Sequence, residues 1–506
     1  MKSKTRGREL TATIESLLDT ALPLARKADA LLTEQGEAAY EEFPLLGLPI
    51  SIKESISIEG LDCTQGYETR CGRPEKTTSP LVTELIRKGA IPFVRTNLPQ
   101  GMMTPVESAN PVYGRTQNAH HPGRTSGGSS GGEGVAIATC CSPAGIGSDI
   151  GGSIRIPSLF NGVFGFLPTP GRISLKGHPI QNPAPWLEDI PQTLVHATCG
   201  PIAKSVSDLN LIMRVIGQEA LGNGLEAQIP PMNWDNETAT AKPKALNTGK
   251  VKIGYYTKFE GFLGSSKFTQ KAVLRVVEAL KQAGYEVEEI EFPEIKELYK
   301  TFIQILGSDG NIGYLMTTDL HGFELEKVYN TFWLIYNMWS TPKKILGSIL
   351  KKLVSERMGM VIESMKPVDS KKFFALANRH LELKKRTYEY LQKRGISFTL
   401  GPSCGTSAFI HELTSEGMEA TYYSALFNTL GMPSGALPVL KIPDEDDEYL
   451  DTVNDPLTKN LKQNVKGVKG LPIGVLVSGF PYQDESVIAM MREIEELMDL
   501  KPLVKV

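Results

Sequence analysis

The sequence predicts an α/β fold, a single large domain in which helices cover a central sheet. Three observations predict it. The chain has 506 residues, 41% hydrophobic and 22% charged, enough for one large core. A helix, a glycine stop and an apolar strand follow one another at 78–98 and again at 268–292. Such repeated helix-to-strand steps argue for α/β layering. Finally, the chain has no internal repeat, and its one Pro/Asn/Thr-rich connection is at 229–250, which favours one domain with insertions over two.

Taken in order, residues 10–32 carry Leu, Ile and Ala at near-helical spacing and are expected to form an amphipathic helix. The run LLGLPISIKESISIEG (45–60) alternates apolar and polar residues as a buried strand pair does, and it contains Lys53. Glycine stops at Gly89 and Gly284 end the helices of the two helix-to-strand steps. The uncharged stretch Ala420 to Leu440 is broken by Gly431, Pro433, Gly435 and Pro438, so it reads as core helix, turn and strand rather than a membrane span. The stretch 444–455 has seven acids and no base and is expected to be a solvated loop. The N-terminus is basic but has no apolar h-region, so neither a secretory signal nor a transmembrane helix is expected, and a cytoplasmic or cytosol-facing protein is the default.

Composition also excludes classes of function. A net charge of −3 offers no basic field for nucleic acid. Six cysteines without a CxxC argue against a disulfide framework or a structural zinc site, and seven scattered histidines without HExxH argue against a zinc hydrolase.

Thirteen of the 48 glycines fall between residues 123 and 171, where two Gly-Gly-Ser elements end at Ser129 and Ser153. A flexible linker fits poorly, because VAIATCC, IRIPS and VFGF are apolar segments interleaved with the glycines. A phosphate-cradling loop lacks GxxxxGK[ST]. A catalytic backbone scaffold fits best, while phosphate binding and a purely structural role stay open. In that reading the N–H groups of Ile150, Gly151, Gly152 and Ser153 form an oxyanion hole beside the Ser153 hydroxyl. Ser153 is not in a GxSxG elbow, and His120 and His121 lie in a Pro/Asn loop expected to be solvated. Lys53, inside an apolar run, is the better candidate base. Burial would have to lower its pKa by roughly three units, about 4 kcal/mol at ~1.36 kcal/mol per unit.

GGSSGGEG and GSDIGGSIRIPS, with Ser129 and Ser153 24 residues apart and a lysine upstream in PISIKES, resemble the amidase signature family. VRTNLPQGMM (94–103), SANPVYGRTQN (108–118) and Glu133 are most similar to its fatty acid amide hydrolase branch. The resemblance implies a mixed central sheet flanked by helices. It also implies a Ser-Ser-Lys triad, with Ser153 as nucleophile, Ser129 as bridging serine and Lys53 as general base. Ile150, Gly151, Gly152 and Ser153 would form the oxyanion hole, Met102 would contact substrate, and Ser130 would support the triad. Asp149 and Arg155 are expected to hold the loop. No metal or cofactor is required. The implied substrates are fatty acid amides, with small polar or aryl amides as the alternative and non-catalytic lipid binding as a third reading. A homodimer is expected. Residues 1–44 are read as an N-terminal helical segment and 45–506 as the amidase signature domain, with a membrane-facing cap inserted at about 329–365.

Within that insertion, TPKKILGSILKKLVSER (341–357) carries five bases and one acid. On a helix Ile345, Leu346, Ile349, Leu350 and Leu353 share one arc, Lys344, Lys351 and Lys352 lie opposite, and Lys343 is at the apolar edge. The segment is read either as a helix packed on the core or as one lying on a lipid surface, and the resemblance favours the second. Phe332, Trp333, Tyr336 and Trp339 are read as lining an acyl channel or filling a core. Vertebrate members of the branch carry an N-terminal transmembrane helix, which the 52 residues before Lys53 do not contain. Peripheral attachment, at the cytoplasmic face of intracellular membranes, or a longer form of the chain is therefore implied.

Overall fold

The central strands of this protein are buried at every position, which covers the sheet on both faces. In the computed structural model, which describes residues 6–102, 104, 106–178, 194–218, 229–245, 249–308, 340–364, 366–414 and 417–504, eleven strands form one sheet. They are β1 (Thr13–Ser16), β2 (Pro49–Lys53), β3 (Ile91–Thr96), β4 (Ala144–Asp149), β5 (Phe164–Leu167), β6 (Thr198–Ala203), β7 (Lys252–Tyr255), β8 (Glu286–Glu289), β9 (Phe398–Pro402), β10 (Ser434–Lys441) and β11 (Pro472–Ser478). Their order is β1-β3-β2-β4-β6-β5-β10-β11-β9-β7-β8. β3, β2 and β4 run parallel, as do β9, β7 and β8, and the other neighbours are antiparallel. The sheet is mixed, as the resemblance implied.

The longer helices are α1 (Leu18–Gln35), α2 (Pro80–Arg87), α3 (Gly131–Ala138), α4 (Arg155–Asn161), α5 (Val206–Ile216), α6 (Lys267–Gln282), α7 (Ile295–Ser308), α8 (Ser340–Leu353), α9 (Glu356–Ser364), α10 (Ser370–Lys393), α11 (Tyr422–Leu430), α12 (Pro456–Asn464) and α13 (Asp484–Leu497). One core joins the sheet to α2, α5, α6 and α13, and a second joins it to α4, α7, α10 and α11. β11 shows the division, sending Ile473, Val475 and Val477 to the first core and Leu476 to the second. β2 sends Ile50 and Ile52 to the first core, which leaves Ser51 and Lys53 on the opposite face.

Three segments differ from their sequence reading. The helix expected over 10–32 begins only at Leu18, because Thr13–Ser16 is taken as an edge strand against β3. The strand pair expected over 45–60 is the single strand β2. Beyond it the chain turns, with the Ile56 N–H donating to the Lys53 carbonyl and the Glu54 carboxylate accepting from the N–H groups of Thr64 and Gln65. The acidic stretch 444–455 is solvated only in part. Asp447 and Asp455 are buried, and Asp451 and Asp455 pair with the buried Arg357 of α9. A guanidinium inside a protein needs such partners.

Candidate active site

Lys53 closes β2 with no exposed surface. Burial disfavours the ammonium and brings its pKa down to about 7, against the opposing pull of Cys199, Asp149, Glu133 and Glu54. Its Nζ donates to Ser129 Oγ at 2.6 Å and to Ser148 Oγ at 2.9 Å. Ser129 stands just before α3 and Ser148 on β4, so the lysine bridges the helix entrance and the strand that leads to the second Gly-Gly-Ser element. Ser130 joins the two elements directly. Its N–H donates to the Ser153 carbonyl at 3.1 Å, and its hydroxyl donates to the Ser148 carbonyl at 3.2 Å and accepts from the Ser148 N–H at 3.3 Å.

Asp149 ends β4 and holds the loop that follows. Its carboxylate accepts from the N–H groups of Gly152 at 2.7 Å and Ile154 at 3.0 Å, and from Asn428 Nδ2 at 3.0 Å. Arg155 closes the bracket with Nε and Nη2, each 3.0 Å from an Asp149 oxygen, and with Nη1 on the Ser424 carbonyl at 2.8 Å. Burial alone would raise the Asp149 pKa, but the guanidinium and the two backbone donors hold it below the usual carboxylate value. Gly152 has φ +117°, and a Cβ there would lie 2.5 Å from Ile156 Cδ1, so the loop requires glycine.

This bracket changes the expected oxyanion set. The Gly152 N–H is engaged by Asp149, whereas those of Ile150, Gly151 and Ser153 have no acceptor among the described residues. Ser153 itself is buried, at 4% exposure. A Cβ on Gly151 would sit 3.5 Å from Phe302 Cζ and 3.9 Å from Ala425 Cβ, and Phe302 packs on Tyr422, which packs on Tyr299. The loop therefore faces an aromatic wall from α7 and α11. Met102 is buried in a separate turn, which is tied to the segment after β2 by the Gly101 N–H donating to the Gln65 carbonyl at 2.7 Å. Phe332, Trp333, Tyr336 and Trp339 lie outside the described residues.

Of the two rejected histidines, His121 is exposed, but His120 is half-buried with Nε2 3.0 Å from the Asn161 carbonyl oxygen, a packed position rather than a solvated one. Sequence reasoning missed Ser148, although it is the residue before Asp149 in the same motif. It also missed Asn428, which meets Asp149 across 279 positions and carries no local signal. The Lys53 amine meets Ser129 and Ser148 directly, and Ser130 ties this group to the backbone carbonyl of Ser153. The arrangement combines a buried amine of lowered pKa, two serine hydroxyls in reach of it and backbone donors, which suits acyl transfer.

The family model described as Amidase matches residues 2–488. Fatty acid amide hydrolase 1 of Caenorhabditis elegans is 30% identical over 486 residues, 94% of this chain and 80% of the relative. Fatty-acid amide hydrolase 1 of Sus scrofa is 29% identical over 464 residues, 90% of this chain and 76% of that one. A solved fatty acid amide hydrolase superposes with a TM-score of 0.81 at 25% identity, covering 98% of this chain and 80% of that one.

Proposed function

Because the chain belongs to the amidase family, we propose that it hydrolyses fatty acid amides through an acyl-enzyme on Ser153, with Ser129 as proton relay and Lys53 as base. The observation that carries this reading is the fully buried Lys53 amine, 2.6 Å from Ser129 Oγ and brought by burial to a pKa of about 7. A base titrating near the working pH is strong enough to take a proton and is still largely unprotonated. Neutral Lys53 accepts the Ser129 proton as Ser129 accepts that of Ser153, whose oxygen bonds to the amide carbon. The oxyanion is met by the N–H groups of Ile150, Gly151 and Ser153, while Gly152 is shared with Asp149. The relay then returns the proton to the leaving nitrogen, the C–N bond breaks and the amine departs. Water cleaves the ester along the same path.

The relatives' names and the aromatic wall beside Gly151 support a long apolar acyl group. Helix α8 supports a lipid source for it. Ile345, Ile349 and Leu353, spaced four apart, are 57%, 47% and 79% exposed, so this edge of the helix is turned outward as a membrane-seeking stripe. Hydrolysis of a long-chain acyl amide should exceed that of a two-carbon amide by orders of magnitude in kcat/KM. Equal rates, or a preference for the short amide, would remove the lipid assignment and leave the small-amide reading.

A further inference from the structure

We infer that Glu133 is a positioning residue for this chemistry: its carboxylate, seated in a cradle made by three strands, sets the pH range over which Lys53 is available as a base. The inference rests on Lys53 acting as the base. Glu133 lies in the first turn of α3, four residues after Ser129, and is completely buried. Its Oε2 accepts from Ser51 Oγ at 2.5 Å and its Oε1 from Thr96 Oγ1 at 2.7 Å. Ser51 is two residues before Lys53 on the same face of β2, and Thr96 is the register partner of Lys53 on β3. The third strand contributes an empty place. Gly145 of β4 pairs with Ser51, and a Cβ there would lie 1.9 Å from Glu133 Oε2. The cradle thus delivers a carboxylate to the same face of the sheet as Lys53.

Other ionisable groups reach Lys53, and each is otherwise committed. Asp149 is paired with Arg155, and the Glu54 carboxylate is held by the Thr64 and Gln65 N–H groups. Burial pushes the Cys199 thiol up to about 12 and His178 down to about 3, so both are uncharged near neutrality. Glu133 has only neutral hydroxyl donors among the described residues. Burial raises its pKa to about 7, with Ser51, Thr96 and Lys53 pulling the other way. Lys53 and Glu133 therefore titrate over one range, each charge acting on the other, so their apparent values belong to the pair. An ionised Glu133 strengthens Lys53 as a base and keeps it from losing its proton too early. Without that charge the lysine is neutral at lower pH and a weaker base.

The test is the pH dependence of the rate at which a fluorophosphonate labels the full chain, for wild type, Glu133→Gln and Thr96→Val. Glu133→Gln should move the acid limb down by roughly one pH unit and lower the plateau severalfold. Thr96→Val withdraws a donor from the ionised carboxylate and should move the limb the same way by less, which keeps the test available if the glutamine variant does not fold. A uniform loss of rate with the limb unmoved in a folded variant would mean that Glu133 only packs, and would overturn the inference while leaving the Lys53 reading intact. A wild-type profile with no acid limb would overturn both.

Discussion

With two serine hydroxyls as its hydrogen-bond acceptors, Lys53 owes its lowered pKa and its energetic cost to the same burial. Its pKa falls from an ordinary 10.5 to about 7. Between those values the unfolded chain binds the extra proton, so the lysine's penalty is complete below about 7 and fades as pH rises towards 10.5. At ~1.36 kcal/mol per unit this is several kcal/mol, offset in part by the two hydrogen bonds at about 1 kcal/mol each. Lys53→Met should therefore melt above wild type at pH 7 while losing hydrolysis, and its margin should shrink as the pH approaches 10. A margin that widened with pH would contradict this account. Asp149→Asn is expected to do the reverse. It leaves the buried Arg155 without its counter-charge and should cost about 3–5 kcal/mol by chemical denaturation.

At the scale of elements, the stretch 341–357 was legible as amphipathic and basic. The single helix expected there breaks after Leu353, which puts Arg357 in α9, and which edge of α8 faces outward was not legible. Gly347 of α8 lies against Gly359 and Glu363 of α9, and Lys351 pairs with Glu363 at 3.0 Å. That packing half-buries Leu346 and Leu350, turns Ile345, Ile349 and Leu353 outward, and buries Lys343, which the helical projection had placed at the apolar edge. Ile345→Asp with Ile349→Asp should therefore abolish flotation with anionic liposomes and leave the melting temperature within a few degrees of wild type. Flotation unchanged by the pair would refute membrane contact through α8. The anchor beneath had no signal in the sequence at all. Arg357 reaches Asp451 and Asp455 from 94 and 98 positions away, and no local pattern marks such a pair. Arg357→Leu, which leaves both carboxylates buried, should cost about 3–5 kcal/mol and expose 340–364 to limited proteolysis.

For the whole molecule, what could be read in advance followed the range of the interaction. The helix, glycine and strand steps at 78–98 and 268–292 are local and appear as α2 with β3 and α6 with β8. The neighbours of each strand are not local: β5 pairs with β10, more than 250 residues on, and the order of the eleven strands could not be derived from patterning. Lys53 and Ser129 stand 76 positions apart, and only the motifs suggested that they meet. Ser148, Asn428 and the cradle of Glu133 emerged from packing alone. Among the described residues no helix is long and apolar enough to cross a membrane. The central claim is that the sheet assembles these distant residues so that Ser153 is acylated. Intact-mass analysis after fluorophosphonate treatment tests it most directly. The account predicts one adduct on wild type, mapped to the peptide containing Ser153, none on Ser153→Ala, and labelling slowed by orders of magnitude in Ser129→Ala and Lys53→Ala. An adduct that survives Ser153→Ala, or a wild-type chain that takes up none, would contradict it.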